Sequence, residues 1–110
     1  MSQHGIILLR IYNYYGKKLQ ESELAFYKLI DKLLYRDWDP IGISELNGPT
    51  DEYQGYLPII FNLALKSSDI NIIADYLLKV EIERLGLAGN RAHCLEIAEI
   101  IINEKLKLNL

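Results

Sequence analysis

Apolar side chains spaced three and four residues apart, in segments separated by glycine, proline and small polar residues, constrain this chain more than any other feature. Over residues 22–37, SELAFYKLIDKLLYRD, the apolar positions are Leu24, Phe26, Tyr27, Leu29, Ile30, Leu33 and Leu34. That spacing lines one face of a helix, whereas a strand, which alternates every second residue, would scatter it over both faces. Ser22 stands where a cap would start this helix. Its end is expected near Asp37, because the chain before Pro40 must turn extended.

The same logic predicts a second helix over about Tyr56 to Lys66, YLPIIFNLALK, with Pro58 in its first turn, where a missing N–H is tolerated. A turn at residues 50–55 precedes it, with Thr50 or Asp51 as cap and Asp51 and Glu52 suited to the positive end of the helix dipole. A third helix is expected to start at Asp69 as its cap, with Ile70, Ile73, Ala74, Leu77 and Val80 along one face. Gly86 followed by Leu87 has the form of a left-handed C-cap with its hydrophobic contact. The fourth helix begins after Gly89 with Asn90 as cap, turning Cys94, Ala98, Ile101 and Ile102 inward and Glu96, Glu99 and Lys105 outward, and its end is expected to fray in KLKLNL. Residues 6–15, IILLRIYNYY, are too apolar for a clean period, and their Ile and Tyr would suit a strand. A lone strand has nothing in this sequence to pair with, so a first helix is expected there. The fold class that follows is all-α, a single-domain bundle of four to five short helices over residues 1–110.

Composition limits the partners. A length of 110 residues suits one core. The net charge is −3, and Lys and Arg are scattered singly, so direct nucleic-acid binding, which needs clustered cations, is not expected. One cysteine, Cys94, allows no intramolecular disulfide and fits a reducing cytosol. The early apolar run lacks the basic flank and small-residue site of a signal peptide, and no run approaches the ~18 apolar residues of a membrane span. A cytoplasmic protein away from membranes is expected. The apolar first segment either completes the core or forms a homodimer face.

The residues show no catalytic constellation. His93 and Cys94 are neighbours on a helix, so their side chains point about 100° apart and do not converge on a metal or form a nucleophile and base. No second Cys/His pair at ligand spacing, phosphate-cradling loop or nucleophile elbow is present, and neither metal nor cofactor is expected. The dense polar cluster is RDWDPIGISELNGPTDEYQGY, residues 36–56, where Asp37, Asp39, Glu45, Asp51 and Glu52 face one cation, Arg36. Much of it reads as turn chemistry: Asp39 as an N-cap or Asx-turn residue, Pro40 supplying the fixed φ of a first helical position, Trp38 anchoring the turn in the core, and Gly42 and Gly48 giving backbone freedom. Asp37 and Glu45 have no such role, and with Tyr53 and Tyr56 they are the expected exposed contacts to a partner.

WDPIGI (Trp38 to Ile43), DEYQGYLP (Asp51 to Pro58) and IADYLLKVEIERLGL (Ile73 to Leu87) together resemble a family of small helical bacterial domains. The resemblance spans residues 24–87, and Trp38, Asp39, Pro40, Gly42, Asp51, Glu52 and Tyr53 match its motifs, while Gln54 and Gly55 stand where a further acid is common. That family is similar to the immunity proteins of contact-dependent growth inhibition and related polymorphic toxin systems. What the resemblance implies is a non-enzymatic cytosolic protein that binds and occludes a cognate toxin domain, often a nuclease, with its toxin contacts largely outside the shared motifs. The alternative, of another class, is a small regulatory or ligand-binding domain with a pocket near Trp38, Tyr53 and Tyr56.

Overall fold

In the computed structural model, which describes residues 19–110, Phe26, Ile30, Leu34 and Trp38 form one buried stripe with a residue every four positions. Helix α1 (Glu21–Leu33) carries the first two. Four-residue steps drift by about 40° around an α-helix. The chain absorbs that drift by widening its next turn, Leu34–Trp38, which closes with the Asp39 N–H donating to Leu34 O at 3.0 Å. Trp38 thereby stays on the buried face at the point where the helix stops. The start differs from expectation: Gln20, not Ser22, is the cap, because the longer Glu23 side chain reaches back to accept from the Gln20 amide at 2.8 Å.

Linked turns over residues 50–56 lead into α2 (Leu57–Lys66), which holds Pro58 in its first turn and buries Leu57, Ile60, Phe61 and Ala64. Helix α3 (Ile70–Lys79) is capped by Asp69, whose carboxylate accepts from the Asn71 amide at 2.9 Å. It too runs on into a widened turn, Val80–Arg84, closed by Leu85 N–H to Val80 O at 3.0 Å. Gly86 then takes φ +68°, and the Leu87 amide returns to Glu81 O at 2.8 Å, the left-handed cap that the sequence announces. Helix α4 (Arg91–Lys107) starts at Asn90, whose side chain accepts from the His93 amide at 3.1 Å.

The described residues form four helices and no strand, an all-α bundle packed around one core. Helices α3 and α4 share the most extensive contact, and α1 and α2 meet each other and close against α4. Phe61 ties α2 to α1, with Phe26 at 5.9 Å and Tyr27 edge-on at 5.1 Å between ring centroids. No described helix is long and apolar enough to cross a membrane. The helix expected over residues 6–15 lies outside the described residues.

Two expectations for α4 are corrected. Lys105 does not face outward: it follows Ile101 by four residues, so its stem lies along the core and its Nζ donates to Ser68 Oγ at 3.1 Å. Nor does the end fray, since Leu108 and Leu110 pack on the core and the Leu110 amide returns to Lys105 O at 3.1 Å.

Candidate functional site

Where α1 ends, Asp39 organises the following loop. Its carboxylate accepts from the Ile43 amide (2.9 Å), the Ser44 amide (3.0 Å), the Ser44 hydroxyl (2.6 Å) and the Tyr53 hydroxyl (2.6 Å). Partial burial opposes its ionisation, but these four hydrogen bonds outweigh that and hold its pKa below the usual carboxyl value. They also offset the strain of a non-glycine residue at φ +29°. Pro40 does not open a helix as expected. It sits in a tight turn closed by the Gly42 amide on Asp39 O at 3.1 Å, because Asp39 caps amides four and five residues on, leading into the short 3-10 turn Ser44–Leu46.

Tyr53 is not an exposed contact: it is 2% exposed, its hydroxyl donates to Asp39 and accepts from the Ile41 amide at 3.2 Å, and its ring lies 5.3 Å from that of Trp38. Burial, reinforced by the Asp39 carboxylate, raises its pKa far above that of a free phenol. Tyr56 is half-buried and stands edge-on to Trp38 at 6.3 Å. The two tyrosines pack their rings against the indole.

Beyond the tyrosines, the indole meets a group that the sequence reading passed over. Trp38 Nε1–H donates to Glu81 Oε2 at 2.7 Å, the Cys94 thiol donates to the same oxygen at 3.1 Å, and the Asn90 amide donates to Oε1 at 2.8 Å. Glu81 is 2% exposed, with donors on both oxygens. One carboxylate thus joins the end of α1, the end of α3 and the start of α4. The signal was present in the sequence: Glu81 follows Ile73 and Leu77 at four-residue steps, a carboxylate on a core-facing stripe. Burial, aided by Glu81, pushes the Cys94 thiol up to about 12. His93 diverges from Cys94 as expected, with Nε2 at 2.7 Å from Asp37 O and 3.2 Å from Trp38 O. In the tautomer that donates from Nε2, it ties the start of α4 to the last carbonyls of the α1 turn.

Above this frame lies an open cleft of about 650 Å³. Asp37, Glu45 and Arg36 line it from one side, Leu87, Asn90 and His93 from the other. Asp37 and Glu45 are exposed, and neither side-chain carboxylate has a hydrogen bond or ion pair among the described residues. Asp51 and Glu52, also exposed, lie outside the cleft and in the turns before α2 rather than in its first helical turn, which holds no acid. The structure therefore brings Asp37 and Glu45 to one cleft, packs the half-buried Tyr56 against Trp38 outside the cleft lining and puts Tyr53 inside the core. No group of three or more His, Cys, Asp or Glu side chains is arranged to hold a metal among the described residues. Comparison of the chain with protein-family models, with curated proteins and with solved structures finds no match.

Proposed function

We propose that this chain is a binding protein without catalysis, a toxin-neutralising immunity protein that occludes a cognate toxin domain, a nuclease delivered by contact-dependent growth inhibition. The observation that carries this reading is the division of labour among its acids. Asp39 and Glu81 spend every carboxylate oxygen on internal donors, while Asp37 and Glu45, without a partner among the described residues, stand at the edge of the frame that those bonds make. A frame built by shared motif residues with free charges beside it suits a family that varies its partner without varying its fold. The motif resemblance over Trp38 to Ile43 and Asp51 to Pro58 supports the same reading, as does the net charge of −3, which complements a nuclease surface built to hold phosphate. Inhibition is by occlusion in the cytoplasm, with no cofactor. Co-expression with the toxin domain encoded beside it tests this: growth is expected to be rescued and the two proteins to co-purify. Cells left unprotected, with no co-purification, would sink the reading.

The cleft volume favours one alternative, since about 650 Å³ lies in the range of small-molecule sites. A regulatory or ligand-binding domain would melt later with its metabolite, by about 2.7 kcal/mol at 100 times the dissociation constant. A flat thermal-shift screen over metabolites and divalent ions counts against it.

A further inference from the structure

We propose that the cleft beside Trp38 is the docking groove of this protein and that its occupant is a basic side chain, Lys or Arg, on an apolar-flanked segment of the partner; this rests on the toxin-binding reading above. Three separate observations meet there. The first is shape: a concavity of about 650 Å³ whose walls are the Asp39-centred loop and the start of α4. The second is charge. Asp37 and Glu45 line the cleft with carboxylates that have no partner among the described residues, Asp39 and Glu81 line it as well, and Arg36 is the one Lys or Arg among its described lining residues. The third is independent of charge: Leu87, 37% exposed, presents an apolar side chain in the wall opposite Asp37 and Glu45, and Ile41 (46% exposed) and Leu46 (82% exposed) stand on the neighbouring loop outside the cleft lining.

A bare ion or a small anion has no use for the exposed Leu87 in the cleft wall. A second copy of this chain brings a net charge of −3 of its own, so self-docking through this cleft pairs like with like. A segment with a cation at its centre and apolar neighbours satisfies both sets of groups at once. The walls need little ordering on binding, because Asp39 and Glu81 already fix them through hydrogen bonds.

The test measures affinity and association rate for the toxin domain encoded beside this chain, using the wild type and Asp37→Lys, Glu45→Lys, Leu87→Ala and Glu99→Lys. Glu99 is exposed on α4 and outside the cleft, so it controls for net charge. Asp37 and Glu45 are exposed, and neither side-chain carboxylate makes a hydrogen bond or ion pair among the described residues, so circular dichroism is expected to show every variant folded. Asp37→Lys and Glu45→Lys are expected to weaken binding at least tenfold, chiefly through a slower, less salt-sensitive association. Leu87→Ala is expected to weaken it severalfold and Glu99→Lys to leave it unchanged. If the wild type binds and protects but the cleft variants behave like Glu99→Lys, the groove is overturned and the immunity reading stands. If the wild type neither binds nor protects, both fall.

Discussion

Trp38 and Glu81 stand 43 residues apart in the chain and meet at 2.7 Å, each delivered by a widened turn at the end of a helix. Widened turns of this kind interrupt the regular helical period, and here the interruption lets a buried donor face a buried acceptor. Glu81→Gln replaces one acceptor oxygen with an amide that faces a donor. Trp38→Phe keeps most of the packing and removes the proton. Each is expected to destabilise the fold by about 1–3 kcal/mol in urea denaturation followed by circular dichroism. Because both break the same bond, the double variant should lose less than the sum, and strict additivity would show that the contact contributes no coupling.

Asp39 makes stability depend on pH with a definite sign. Its pKa is lowered in the folded state from an ordinary value of 3.8, so the folded chain holds its proton less tightly than the unfolded chain does. The contribution is complete above the unfolded value and fades as pH falls through the lower folded one. Between neutral pH and about pH 5 the loop should therefore be insensitive to acid, and below pH 4 it should weaken. Asp39→Asn should lower stability at pH 7 and flatten that acid limb. An unchanged limb in this variant would assign the acid sensitivity to another group.

Four helices, their caps at Asp69 and Asn90 and the glycine stop at Gly86 were legible because each rests on local chemistry within a few residues of itself. Glu81 was not, because a polar residue on an apolar stripe is explained only by the donors that the fold brings to it from Trp38 and Asn90. Tyr53 was misplaced for the same reason: its partner Asp39 lies 14 residues away, and residue type alone favours an interface. Lys105 shows the converse. Its spacing from Ile101 and Ile102 marked it as inward, and only its charge argued otherwise. At the cleft, the free carboxylates Asp37 and Glu45 were legible by elimination, since no cap or turn needed them, whereas the concavity between residue 37 and residue 93 depends on long-range packing.

Cys94 should behave as an inert core residue. Its thiol is fully buried, pushed up to about 12 and already donating to Glu81, so the nucleophilic thiolate is scarce at neutral pH. Thiol-reactive dye is expected to leave the native protein unlabelled over hours at pH 7.5 and to label it fully in denaturant. In the Glu81→Gln variant labelling should proceed through more frequent opening of the fold, at a rate that follows its loss of stability. Rapid labelling of the native wild type would contradict the geometry at this position.

Two glycines in the connection between α3 and α4 should separate backbone strain from steric strain. Gly86 (φ +68°) has open space where a Cβ would lie, so Gly86→Ala is expected to lose only the left-handed preference, about 1–2 kcal/mol. Gly89 (φ +88°) carries the same backbone constraint, but its Cβ would meet Leu78 Cδ1 at 2.8 Å and Ile82 Cγ1 at 3.0 Å. Gly89→Ala should therefore cost more than Gly86→Ala. Its effect should also travel, because the next residue is Asn90, whose amide holds Glu81 and, through it, the Trp38 indole. The emission of the chain's one tryptophan is expected to shift in Gly89→Ala and to stay unchanged in Gly86→Ala. Equal spectra with unequal stabilities would mean that Leu78 and Ile82 yield locally and that the strain never reaches Glu81.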